Sequence, residues 1–416
     1  MVQSPTLPHP LKRPEFRNLL AISITVALGF GMVIPVLPRF AKSFGVGLAV
    51  VGLIQLVFGL TRFSFGLVGG LVVDRFGERA STIAGLLIVA LSSYAAGLSQ
   101  NFPQLVAARG FGGAGSALFI AGLMNRILRI IEPESMGQAT GAFRSSFLVG
   151  IGLGPLVGGF AAKAFGITAP FHIYATGLLV AAAIAFGVMR GAGNERAAER
   201  KSPLDALRAA RPLFSDVRYT TALFATFVGW WAISGPAQTV GPVFADERLG
   251  LTDDQIGFAV SMLSIGEILI LLVAGRAADR LGRRAVLVPS LIVTAGATAL
   301  LGQIGPASTW AYYPLMMAIG AGIAAGGTAA GGLLADSIPA GGSGAAVGVN
   351  QMAGDLGYLL SPTAIGFVAE HGGFGIAYLV GAVPAAVGIV GAARLPRNAR
   401  GAHDDEVTVE PGTHIG

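Results

Sequence analysis

Residues 69–80 read GGLVVDRFGERA, and residues 274–285 read AGRAADRLGRRA. Both stretches carry a glycine, an Asp-Arg pair, a second glycine and then arginine, and Asp74 and Asp279 stand 205 residues apart. Each lies between long apolar runs. A second match needs no gap: Gly141, Gly150, Pro155, Gly159 and Phe160 align with Gly348, Gly357, Pro362, Gly366 and Phe367 at an offset of 207. The chain therefore reads as two tandem copies of one unit, and the interface between such copies is the first place to look for a site.

Composition says what the unit is made of. The chain of 416 residues is 53% hydrophobic and only 12% charged, against about 25% charged in ordinary soluble proteins. Its apolar residues fall in blocks of about 20, the length that crosses a bilayer. Twelve spans are predicted, at 17–38, 47–71, 80–99, 103–126, 137–161, 170–190, 219–243, 254–277, 284–303, 309–334, 343–368 and 374–394. The fold class is an all-α membrane protein, with twelve transmembrane helices in two pseudo-symmetric six-helix halves. The first span follows Lys12, Arg13 and Arg17 but precedes no small-residue cleavage site, so it is read as a retained helix.

The expected organisation is a tail over 1–16, a first half over 17–190, a linker over 191–218, a second half over 219–394 and a tail over 395–416. Within the linker, 203–211 reads equally as a short surface helix or a solvated segment. Of the 28 lysines and arginines, 21 flank one side of the spans. Four, Arg39, Lys42, Lys163 and Arg248, flank the other. The positive-inside rule then predicts a multi-pass protein of the cytoplasmic membrane with both termini in the cytoplasm. The same asymmetry accounts for the net charge of +6 without a nucleic-acid partner.

Absent chemistry narrows the function classes. With no cysteine there is no disulfide, thiolate zinc site or cysteine nucleophile. No metal-binding or cofactor motif is found, and no P-loop, so no enzymatic activity is expected and an ion gradient is the expected energy source. GFGGAG at 110–115 satisfies the dinucleotide pattern GxGxxG, but it lies inside an apolar span rather than between a strand and a helix.

Charge inside a membrane is costly and marks a cavity or a partner. Arg62, Arg109, Arg144, Glu267 and Asp355 fall inside the predicted spans. Arg62 and Glu267 each precede a loop aspartate by twelve residues, which is about 18 Å along a helix and puts them near the midplane. Asp355 is also central. Trp230, Trp231 and Tyr358 are candidates for an aromatic substrate surface, or else they pack against helices and lipid. In GIGLGPLVGG, 150–159, Gly150, Gly154 and Gly158 recur every four residues on one helix face. They let another helix approach closely, while Pro155 favours a kink.

These motifs resemble the major facilitator superfamily, and the resemblance covers almost the whole chain. Gly66, Gly70, Asp74, Arg75, Gly77 and Arg79 match its loop 2–3 motif, with Glu78 where a basic residue is usual; Gly275, Asp279, Arg280, Gly282, Arg283 and Arg284 repeat it. Gly150, Gly154, Pro155, Gly158 and Gly159 complete the fifth-helix pattern GxxxGPxxGG of the twelve-span drug/proton antiporters. Arg109 fits the fourth-helix motif, with Gly112 where glutamine is common.

The resemblance implies proton-coupled efflux of a small amphipathic or drug-like compound by alternating access. Asp355, Glu267 and Arg109 would take part in proton coupling. The loop motifs would latch one conformation. Helix 2 would face helix 11 and helix 5 face helix 8, giving cross-half pairs Arg62 with Asp355 and Arg144 with Glu267. Its partners would be a small molecule, protons and the lipid bilayer, with the chain acting as a monomer. A proton symporter for a sugar, peptide or organic anion is the alternative on the same fold. A membrane sensor or scaffold ranks below both, because the polar segments are too short to fold alone.

Overall fold

In the computed structural model, residues 10–132, 135–189, 211–338 and 343–395 are described; side chains at 67–71, 74, 137, 272 and 343–345 are not. The expected tails beyond these limits and most of the linker lie outside the described residues.

Among the described residues, ten helical stretches are long and apolar enough to cross a membrane. The last, Ala346–Ala393, holds two crossings divided at Gly373. A further crossing, 217–247, escapes the length criterion because it is built from three consecutive helical pieces. The described residues therefore hold twelve crossings, as the apolar blocks predict. The helices are α1 (Pro14–Val33), α2 (48–76), α3 (78–97), α4 (Phe102–Ile130), α5 (Met136–Phe165), α6 (Ala169–Val188), α7 (217–247), α8 (Asp253–Leu281), α9 (Arg283–Leu301), α10 (Tyr312–Ser337), α11 (343–372) and α12 (374–393). A short helix, Leu37–Lys42, follows α1.

Local chemistry sets the ends. Asn101 opens α4 by accepting the amide of Gln104 at 3.0 Å, with Pro103 in the first turn. Asp216 opens α7 by accepting the amide of Arg218 at 2.8 Å, and its hydrogen bonds from the Arg218 side chain hold its carboxyl below the usual carboxylate range. The two loop motifs shrink to single joints. Gly77 (φ 83°) separates α2 from α3, and Gly282 (φ 92°) separates α8 from α9. A Cβ would strain both, which is why the motif carries glycine there.

Within the first half, α1 packs on α5 and α6, α4 on α2 and α3, and α3 on α6. Within the second, α7 packs on α10 to α12, α8 on α10, and α9 on α10 and α12. The halves meet where α5 crosses α8 and where α2 crosses α11. The repeat is visible in both crossings. Gly159 lies against the backbone of Asp253 in α8, and Gly366, 207 residues on, lies against Leu48 in α2, 205 residues before Asp253. Pro155 lies against Gly257, and Pro362 against Gly52. Gly152 against Ser264 is matched by Leu359 against Gly59. The two interfaces are thus one contact used twice.

The resemblance to the loop motif breaks at Glu78, and the structure gives a reason. Glu78 is buried at the start of α3, 3.3 Å from Arg129 and 3.7 Å from Arg126 at the end of α4. At the equivalent place in the second half, Arg283 at the start of α9 lies 3.4 Å from Asp336 at the end of α10. The ion pair is kept with its polarity reversed. Replacing Glu78 by arginine should therefore place a new cation beside Arg126 and Arg129 and cost about 3 kcal/mol or more. A clear fall in melting temperature in detergent is expected, with recovery in Glu78→Arg/Arg129→Glu. A single variant as stable as the parent would refute the inverted pair.

Candidate functional site

Past the α5–α8 and α2–α11 crossings the halves part, and a cavity opens between them. One lobe, about 530 Å³, is lined by Phe58, Arg62, Phe63, Asp355 and Tyr358 among others. A second, about 560 Å³, is lined by Arg144, Phe147, Ser264, Glu267 and Asn350 among others. Trp230 and Gln351 line both, so the lobes adjoin. A narrow deep niche continues inward along Phe30, Gln55, Phe58, Arg109, Gln238 and Tyr358. The lobes extend to Gly66 in α2 and Gly331 in α10, toward the face that carries Gly77, Gly282 and both described chain ends. We call this the open face.

The opposite face is closed, and it is closed by charge. Arg39 lies 3.1 Å from Asp246 and also pairs with Asp253. Lys42 pairs with Glu247, and Lys163 lies 2.9 Å from Asp254. All four pairs join a cation of the first half to an acid of the second. These four ion pairs between the halves all lie on this paired face. Two hydrogen bonds between the halves add to the seal: Leu156 N donates to Ser261 Oγ at 3.0 Å and Gln55 Nε2 to Thr239 Oγ1 at 3.3 Å.

The intramembrane charges line the cavity without the direct pairing that the resemblance implies. Arg62 and Asp355 line one lobe, and Arg144 and Glu267 the other. No ion pair within 4 Å joins either couple in this conformation. Asp355 instead accepts a hydrogen bond from Gln351 Nε2 at 3.3 Å. Arg109 sits deepest. Ser92 Oγ holds the carbonyl of Ala108 at 2.7 Å, and Thr61 Oγ1 holds that of Gly110 at 2.8 Å, so α4 is pinned on both sides of it. Gly112 and Gly113 let Ser92 and the α2 backbone come this close.

Of the three aromatic candidates, Trp230 and Tyr358 wall the cavity, their rings edge to face at 5.8 Å. Trp231 does not: it packs on Phe227, and its Nε1 donates to the carbonyl of Gly381 in α12 at 3.2 Å. The expectation for Trp231 is corrected to a packing role, because consecutive helical residues point about 100° apart.

The fifth-helix motif has two working faces. Gly150, Gly154 and Gly158 receive α1 of the same half, at Ala27, Gly31 and Met32. Pro155 and Gly159 receive α8 of the other half. Around the loop motifs, Arg79 donates to the carbonyl of Phe186 at 2.7 Å and stacks on its ring, and Arg283 lies 2.5 Å from Asp279. Arg75 lies over Phe76, and Arg280 is exposed in the last turn of α8. Gly275 has open space around it. The side-chain placements at Gly70 and Asp74 lie outside the described residues.

Two features escaped the sequence reading. The paired-face acids were not singled out, although their partners Arg39, Lys42 and Lys163 are three of the four residues that defy the charge bias. The second is the middle of α7, where Ile233–Val240 is a π-helix around Pro236. Thr239 Oγ1 donates to the carbonyl of Ser234, and Ser234 Oγ to that of Tyr358, both within 2.8 Å. The widened turn aims Gln238 at the cavity. Gly235-Pro236 inside an apolar run was the available signal, since π-turns gather at functional sites.

The sequence model of the family described as Major Facilitator Superfamily matches residues 19–252 and 238–413. Multidrug resistance protein 2 of Bacillus subtilis is 27% identical over 287 residues, 67% of this chain and 70% of that one. The multi-drug resistance efflux pump PmrA of Streptococcus pneumoniae is 25% identical over 352 residues, 82% and 86% of the two chains. Among solved structures, the nucleoside transporter NupG superposes with a TM-score of 0.74 at 14% identity, over 92% of this chain and 98% of that one. A bacterial homologue of the lysosomal transporter Spinster gives 0.72 at 16%, over 93% and 95%. With twelve helices in two repeated halves around a central cavity, and a family match over almost its whole length, the chain belongs to the Major Facilitator Superfamily of membrane transporters.

Proposed function

We propose that the protein exports a small amphipathic, drug-like compound from the cytoplasm in exchange for protons, as a monomer in the cytoplasmic membrane. The observation that carries this is the cavity between the halves, open at one face, walled by intramembrane charges, and shut at the other by four ion pairs. The efflux relatives support the direction of transport. The basic excess on the open face supports placing that face, and both termini, in the cytoplasm. The units that rock are 17–190 and 219–394, with the loop motifs latching the open face once it closes.

Coupling follows from the same geometry. An approaching arginine favours a carboxylate's charged form, and burial favours its neutral form. Rocking that changes either at Asp355 or Glu267 turns movement into proton uptake or release. Arg109 belongs to this set as a fixed charge, since a guanidinium keeps its proton. In cells loaded with a fluorescent cationic dye, efflux should be abolished by a protonophore and should fall at least roughly ten-fold in Asp355→Asn, the scale set by an interior charge worth a few kcal/mol. Glu267→Gln should weaken it similarly. Full proton-coupled efflux in both variants would sink this assignment.

A further inference from the structure

Arg109 differs from every other charged residue facing the cavity. It is 3% exposed and forms no ion pair among the described residues. Its buried Nε has no hydrogen-bond partner, and its guanidinium carbon lies 5.1 Å from the ring centre of Phe58. The other buried arginine, Arg126, is neutralised by Glu15 and Glu78. The fold itself does not require a cation here: 207 residues on, the equivalent place in the second half holds the buried Met316.

A guanidinium keeps its proton inside proteins, so this charge is not relieved by titration. A charge in the membrane interior is held by a counter-charge or faces a water-filled path. The walls of the niche contain no carboxylate. They offer the side-chain amides of Gln55 and Gln238, the phenol of Tyr358, and the rings of Phe30 and Phe58. The two acids of the cavity, Asp355 and Glu267, line the outer lobes instead. The niche has only about 20 Å³ of free space, room for a group of a few atoms and not for a ring. It shares Phe58 and Tyr358 with the 530 Å³ lobe, which does have room for one.

We infer that Arg109 anchors the acidic head of the transported compound, and that the substrate class is a flat, ring-bearing carboxylic acid or zwitterion. The carboxylate takes the guanidinium in a bidentate pair, with the amides and the phenol as further donors. The ring lies in the adjoining lobe between Phe58, Tyr358 and Trp230, and an amine on the far end of a zwitterion meets Asp355. This rests on the reading of the cavity as the substrate site.

The test is calorimetric titration of the purified full-length protein with 2-naphthoate, 2-naphthamide and 2-naphthylmethylamine, which share one ring system. Naphthoate is expected to bind at least roughly ten-fold more tightly than the amide, as a charge-assisted pair replaces a neutral contact. Arg109→Gln should erase the difference. Arg109→Lys, which keeps the charge but loses the planar fork, should reduce it and covers the case where the glutamine variant fails to fold. Arg248→Gln, at an exposed arginine that lines neither lobe nor the niche, should preserve it. No naphthoate binding, equal binding of acid and amide, or loss of the preference in Arg248→Gln as well would overturn the inference. Binding requires no proton gradient, so it separates the two readings. Arg109-dependent binding without protonophore-sensitive efflux would retain the acid site and reject export. Dye efflux without acid preference would do the reverse.

Discussion

Leucine at Gly158 is expected to abolish the folded protein, whereas leucine at Gly159, one residue on, is expected to leave it folded and unable to close the paired face. The two glycines face different neighbours. A Cβ at Gly158 would run into the backbone of Met32 in α1, 2.6 Å from its Cα, and one at Gly154 would stand 2.6 Å from the Cα of Gly31. That contact lies inside the first half, so rocking cannot relieve it. Each substitution forces the helix pair apart, at roughly 3 kcal/mol or more.

A Cβ at Gly159 instead meets Asp253 O at 2.5 Å and Gly257 Cα at 3.0 Å, both in the other half. Separation of the halves relieves it, so the cost falls on one conformation only. Gly141→Leu is the control, since nothing lies within 4 Å of that position. Size-exclusion chromatography and thermal melts read the folding, and distances between spin labels across the paired face read the conformation. Equal damage at both positions would refute the two-faced reading of the motif.

Arg39→Gln should give the second large effect. Arg39 bridges two acids of the other half, and its side chain is only 14% exposed. Charge-assisted hydrogen bonds are worth about 1.5–3 kcal/mol. Because Asp246 is 42% exposed, solvent screening lowers this to about 1.5 kcal/mol, or about a ten-fold shift toward the state open on this face. The natural absence of cysteine makes the readout clean. Ile34, buried beside the niche, is replaced by cysteine, and a membrane-impermeant maleimide is applied from the paired-face side. Labelling should accelerate in the Arg39→Gln background and much less in Lys42→Gln, whose pair with Glu247 is more exposed. High salt should move the parent in the same direction. Unchanged labelling in Arg39→Gln would remove these pairs from the list of forces that shut the face.

The sequence by itself determined the crossings, the repeat and the breaks between helices. Each of these is local. In lipid a helix satisfies its own backbone hydrogen bonds, so an apolar run of sufficient length declares its state without help from the rest of the chain. The joints at Gly77 and Gly282 are likewise written in single residues with positive φ. Even α7, interrupted by its π-turn, reads as one apolar run. The tertiary structure alone decided which side chains share a space. Trp230 and Trp231 are chemically alike, and only packing against α11 and α12 assigns one to the cavity and the other to the core. The polarity of the Glu78–Arg129 pair is meaningful only beside its mirror, Arg283–Asp336. Arg39 and Asp246 lie 207 residues apart in sequence, one full repeat, and touch only because α5 meets α8 and α2 meets α11. A charge's cost and role depend on what surrounds it, and that neighbourhood is set by helices distant in the chain.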